Sequence, residues 1–73
     1  MTQTAQVRQA FENGTTTVAV GDYVGFKSDV EQYGEIVAIN GDRLTLRSKY
    51  GFSGDYIGGQ TETVEHASDC WAE

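Results

Sequence analysis

The chain has no proline, one cysteine, one histidine and only five basic residues among its 73, and no apolar run of membrane-spanning length. Each scarcity excludes something. With Cys70 alone, no disulfide can form within the chain. With His66 alone, the four nitrogen or sulfur ligands of a structural zinc site are not at hand, and no metal or cofactor is expected. A membrane helix needs about 20 apolar residues in succession, so no membrane partner is expected. The opening Met1-Thr2-Gln3-Thr4 carries no basic cluster and no apolar stretch follows it, which predicts no secretory signal. A lone free thiol fits a reducing, cytoplasmic setting. There is no low-complexity segment and no internal repeat.

What remains is one small domain. A chain of this size buries only roughly 60% of the surface its unfolded form exposes, so its core is marginal. Disulfides, a metal or oligomerisation usually offset that weakness. The first two are missing. Self-association is therefore expected.

The formal charge is −6, which argues against a protein that coats duplex DNA by bulk electrostatics. Its distribution says more. Residues 27–50 balance Lys27, Arg43, Arg47 and Lys49 against Asp29, Glu31, Glu35 and Asp42. Residues 55–73 hold Asp55, Glu62, Glu65, Asp69 and Glu73 with no Lys or Arg. The chain is acidic, with a local positive spot.

From Thr4 to Asn13, Val7, Ala10 and Phe11 fall at helical spacing and predict a short N-terminal helix over residues 1–14. Thr2 or Thr4 would cap its start and Gly14 its end. So short a helix is unstable alone and must dock on something. From Thr15 onward the texture is β-rich and punctuated by glycine. Val18, Val20, Val24 and Phe26 share one parity, as a half-buried strand requires. Residues 28–32 read as a polar loop, and Tyr33–Ile39 as a strand apolar on both faces near its end. Asn40-Gly41 predicts a type I′ hairpin turn, after which Arg43–Tyr50 returns with clean alternation. Past Gly51, Gly58-Gly59 marks a turn, residues 60–66 an acidic, threonine-rich strand, and residues 67–71 either a closing strand or a helical turn. The nine glycines suit tightly bent strands.

The run Val20-Gly21-Asp22-Tyr23-Val24, followed by Gly34-Glu35-Ile36-Val37-Ala38-Ile39-Asn40-Gly41-Asp42-Arg43-Leu44-Thr45-Leu46, resembles the first half of SH3-like barrels, and most of all the Sm-like variant. The texture is also similar to small uncharacterised proteins of marine bacteriophages. The resemblance covers about residues 4–50. It implies a helix lying across a strongly bent five-stranded barrel over residues 15–73, and a homo-oligomeric ring in which edge strands of neighbouring subunits pair. It further implies binding of RNA or single-stranded DNA, with Asn40 and Asp42 at the turn among the contacts. Two departures stand out. The turn is shorter than the usual Sm-like one, and no Arg-Gly pair follows Gly51.

The residues themselves point to the strand after that turn. Arg43, Thr45, Arg47 and Lys49 share one parity and Leu44 and Leu46 the other. With the leucines inside, three cations line an outward row about 20 Å long, with Tyr50 and Phe52 at its end. Cations for phosphates beside rings for bases are how single-stranded nucleic acid is bound. The competing expectation is that Arg43 and Arg47 merely pair with Asp29, Glu31 or Glu35 across the hairpin. His66, Asp69 and Cys70 invite a Cys–His reading, but one side of one turn is not a cleft, so no enzyme is expected. Trp71 either plugs the open end of the barrel or anchors a subunit contact. The chain is thus expected to be a binding or assembly module for nucleic acid. The alternative is a protein-interaction module whose acidic segment, Asp55 to Glu73, meets a basic partner.

Overall fold

A computed structural model describes residues 3–27, 30–48 and 56–72. Its elements are β1 (Thr4–Gln9), β2 (Thr15–Ala19), β3 (Tyr23–Lys27), β4 (Glu31–Asn40), β5 (Arg43–Ser48), β6 (Glu62–His66), a single-turn 3-10 helix η1 (Ala67–Asp69) and β7 (Trp71–Ala72). All seven strands belong to one sheet in the order β2-β1-β7-β3-β4-β5-β6. Every described pairing is antiparallel except β1 with β7.

The expected N-terminal helix is a strand. Thr4, Gln6 and Arg8 are exposed while Ala5 and Val7 are buried, so the segment follows period two. Ala10 and Phe11, which the helical stripe needed, sit in the turn before β2, and Phe11 is 83% exposed. A lone short helix would still need a docking surface. As a strand, the same residues pair their backbone with β2 on one side and β7 on the other.

The expected five-stranded barrel is also overturned, because the sheet has seven strands and does not close. It is nevertheless sharply bent. A groove lined by β1 on one side and by Gly41, Asp42 and Ala67 on the other brings opposite regions of the sheet together. In sheet order β7, β3 and β4 stand between them. The bend wraps one face around Val7, Val24, Phe26, Ile36, Leu44, Leu46, Ile57 and Cys70, each at most 1% exposed. Burying one such large apolar side chain fully is worth roughly 1.5–3 kcal/mol. Gln32 and Ser48 are buried on the same face, with no hydrogen-bond partner for their side chains among the described residues.

Two irregularities set the register. The strand expected to run through Val20 is broken between β2 and β3, where the Ala19 N–H donates to the Asp22 carboxylate at 2.8 Å and Gly21 has φ +102°. Val20 is consequently 52% exposed rather than in the core. In β4 the pairing with β5 shifts between Ile36 and Ala38, a bulge at Val37. The extra residue moves the inward parity from Ile36 to Ile39, which is why this strand looked apolar on both faces. The following hairpin closes on the pair Asn40 and Arg43, with Gly41 and Asp42 between them. Only Gly41 has a positive φ, +68°. That is the pattern of a type II′ turn, one residue later than the type I′ turn expected at Asn40-Gly41.

Candidate binding surface

Arg43 and Arg47 do face outward from β5, but the charge of Arg47 is already engaged. Arg43 and Arg47 are exposed, Thr45 is half-buried, and Leu44, Leu46 and Ser48 face the core. Arg47 lies in register between Glu35 on β4 and Glu62 on β6. Its Nε and Nη2 both donate to Glu62 Oε2, at 3.2 and 2.8 Å. The partner comes from β6 and not from the acids named for the β4–β5 hairpin. Thr45 is flanked by Ala38 and Val64. Arg43 is flanked by Asn40 and His66, and makes no ion pair among the described residues. Asp42 stands 3.9 Å from His66 Nδ1. The row therefore brings Asn40, Asp42 and Arg43 together at one end and ties Arg47 to a carboxylate at the other. Lys49, Tyr50 and Phe52 lie outside the described residues.

His66, Asp69 and Cys70 do not converge. His66 and Asp69 are exposed, whereas Cys70 is fully buried and its thiol donates to the His66 carbonyl oxygen at 3.4 Å. Burial pushes this thiol up to about 12 from an ordinary 9.0, aided by the charges of Glu65 and Asp69 and opposed by Arg8. A thiol so placed is not a nucleophile near neutral pH. Among the described residues, no group of three His, Cys, Asp or Glu side chains could hold a metal ion. No helix among them is long and apolar enough to cross a membrane.

A different cluster occupies the outer face. Arg8 pairs with Trp71, Trp71 with Gly25, and Gly25 with Tyr33, so one transverse row crosses β1, β7, β3 and β4. The Arg8 guanidinium stands 5.9 Å from the Trp71 ring centroid. Tyr33 meets the indole edge-on at 6.5 Å and 86°. Gly25 makes the row possible. A Cβ there would lie 2.3 Å from the indole Nε1, so the ring lies where a side chain of β3 would otherwise stand. Trp71 thus does not plug an open barrel end; its neighbour Cys70 points into the core while the indole covers the outside of the sheet. Arg8, Trp71, Tyr33, Phe11 and Glu31 line an open groove of about 330 Å³.

Nothing in the helical reading of residues 4–13 could have brought Arg8 beside Trp71. The available signal was Gly25, a glycine in mid-strand between Val24 and Phe26, which marks a close approach by another group. No protein-family model, no curated protein and no solved structure matches the chain.

Proposed function

We propose that the chain is a protein-interaction module, without catalytic activity, whose ligand is a basic, extended protein segment carrying an apolar or aromatic residue. The observation that supports this most is the row of Arg8, Trp71 and Tyr33 beside an open groove. Trp, Tyr and Arg are the side chains most enriched where binding energy concentrates. Here two rings are held in place by the sheet, so little side-chain entropy is lost when a partner packs on them. The groove wall itself holds one cation, Arg8, and one acid, Glu31, so the basic charge of the partner follows from the net −6 of the chain. Binding of RNA or single-stranded DNA along β5 has weaker support, because Arg47 is committed to Glu62 and a phosphate would have to displace that carboxylate.

A peptide-display selection against the full chain, followed by titration of the selected peptides on the fluorescence of Trp71, tests the reading. Trp71 is the sole tryptophan and sits in the groove. Peptides rich in Lys or Arg with an apolar anchor should emerge. Tyr33→Ala and Glu31→Lys should each weaken them at least tenfold, about 1.4 kcal/mol. Selected peptides indifferent to both substitutions would overturn the assignment. Oligo-dT or oligo-U binding that is lost in Arg43→Ala would replace it with the nucleic-acid reading.

A further inference from the structure

Two charges on the groove wall stand without an opposite charge. Arg8 and Glu31 are both exposed, both line the groove, and neither enters an ion pair among the described residues. The Arg8 guanidinium lies over the Trp71 ring. A guanidinium held on a ring by its face keeps its fork of N–H donors free for a carboxylate. The two charges also stand on opposite banks. Arg8 is on β1 and Glu31 on β4, with β7 and β3 between them. The indole of Trp71 lies across Gly25 as the floor, Phe11 belongs to the bank of Arg8, and Tyr33 to that of Glu31. A ligand that is basic throughout therefore suits one bank and is repelled at the other.

We propose that the groove captures the C-terminal end of a basic segment. The terminal carboxylate pairs with Arg8, an apolar last side chain packs on Trp71 and Phe11, and a Lys or Arg upstream pairs with Glu31. The proposal rests on the peptide-binding reading and names the part of the partner that is read. The terminus is the source of the carboxylate because every polypeptide carries one there whatever its sequence. The ligand thus answers Arg8 without an acidic side chain, which would weaken its attraction to a chain of net −6. Strand spacing sets the register. Three spacings of about 4.8 Å, with a step of two residues along β4, put roughly 16 Å between the Arg8 and Glu31 backbones. At about 3.3 Å per extended residue, the basic side chain falls roughly three to five positions before the last.

Two displayed libraries of one randomised heptapeptide, selected against the full chain, test the proposal. One ends in a free C-terminus and the other continues into a Gly-Ser linker. The free-ended library should enrich, with an apolar last residue and a Lys or Arg at the upstream spacing. Labelled synthetic copies should bind at least tenfold more tightly as acids than as C-terminal amides, read by fluorescence anisotropy. Arg8→Ala should reduce the acids to the level of the amides, while Arg8→Lys keeps part of the difference. Circular dichroism checks that both variants stay folded. Acids and amides that bind alike, with Tyr33→Ala and Glu31→Lys still weakening both, overturn the proposal and leave the peptide-binding reading in place. So does an acid preference that survives Arg8→Ala, or an internal Asp or Glu selected in place of the terminus. Enrichment from neither library removes both readings.

Discussion

At the scale of single residues, the contact between Gly25 and Trp71 is the most demanding in the molecule. The indole occupies the space of a missing side chain, so any Cβ at position 25 must expel it or move β3. Gly25→Ala should therefore cost about 1–3 kcal/mol in urea unfolding and shift Trp71 emission to longer wavelength as the ring is displaced into water. An unchanged spectrum and midpoint would mean that the ring does not lie across β3. Cys70 supplies a second residue-scale expectation. Its folded pKa stands above the unfolded value of 9.0, so its contribution to stability is intact below about pH 9 and fades as pH climbs toward about 12. The decline of the urea midpoint over that window should be shallower in Cys70→Ala than in the wild type. At about pH 8 the thiol should react with a disulfide reagent only once denaturant has opened the core.

Among the elements, the hairpin between β4 and β5 gives a sharp expectation. Gly41 holds φ +68°, a conformation that β-branched residues avoid. Gly41→Val should destabilise by more than about 1 kcal/mol in urea unfolding, while Asn40→Ala, at a position without positive φ, should cost clearly less. Equal effects would restore the type I′ turn. The hairpin, the inward leucines of β5 and the existence of β6 were legible because each is a local pattern: a turn dipeptide, or alternation over a few residues. The segment 4–13 was misread because Val7, Ala10 and Phe11 satisfy helical spacing while Ala5 and Val7 satisfy alternation equally well. Over so short a run the two periods cannot be separated by pattern. The choice was made elsewhere, by the backbone partners that β2 and β7 provide. The bulge at Val37 hid in the same way, as a strand apolar on two faces.

For the whole molecule, composition and texture announced a small β-rich fold, and the sheet is one. They could not announce the strand order, because β7 reaches the middle of the sheet from the far end of the chain. The aromatic row on the outer face was illegible for the same reason. Arg8, Gly25, Tyr33 and Trp71 belong to four strands, and no spacing in the sequence relates them. The outward parity of Arg43 and Arg47 was legible, yet the pairing of Arg47 with Glu62 depends on β6 lying beside β5.

That central position of β7 also bears on how the chain reaches its folded state. β3, β4, β5 and β6 are neighbours in sequence and can assemble as a meander while the chain is still being made. β1 and β2 can form only their own hairpin, and an isolated two-stranded hairpin is marginal in water. What joins the two pieces in the sheet is a two-residue strand that follows all the others in chain order. Vectorial synthesis thus leaves the first strands made waiting for the last, with the uncharged β2 sequence exposed throughout, and makes closure of the longest loop in the chain the late step of folding.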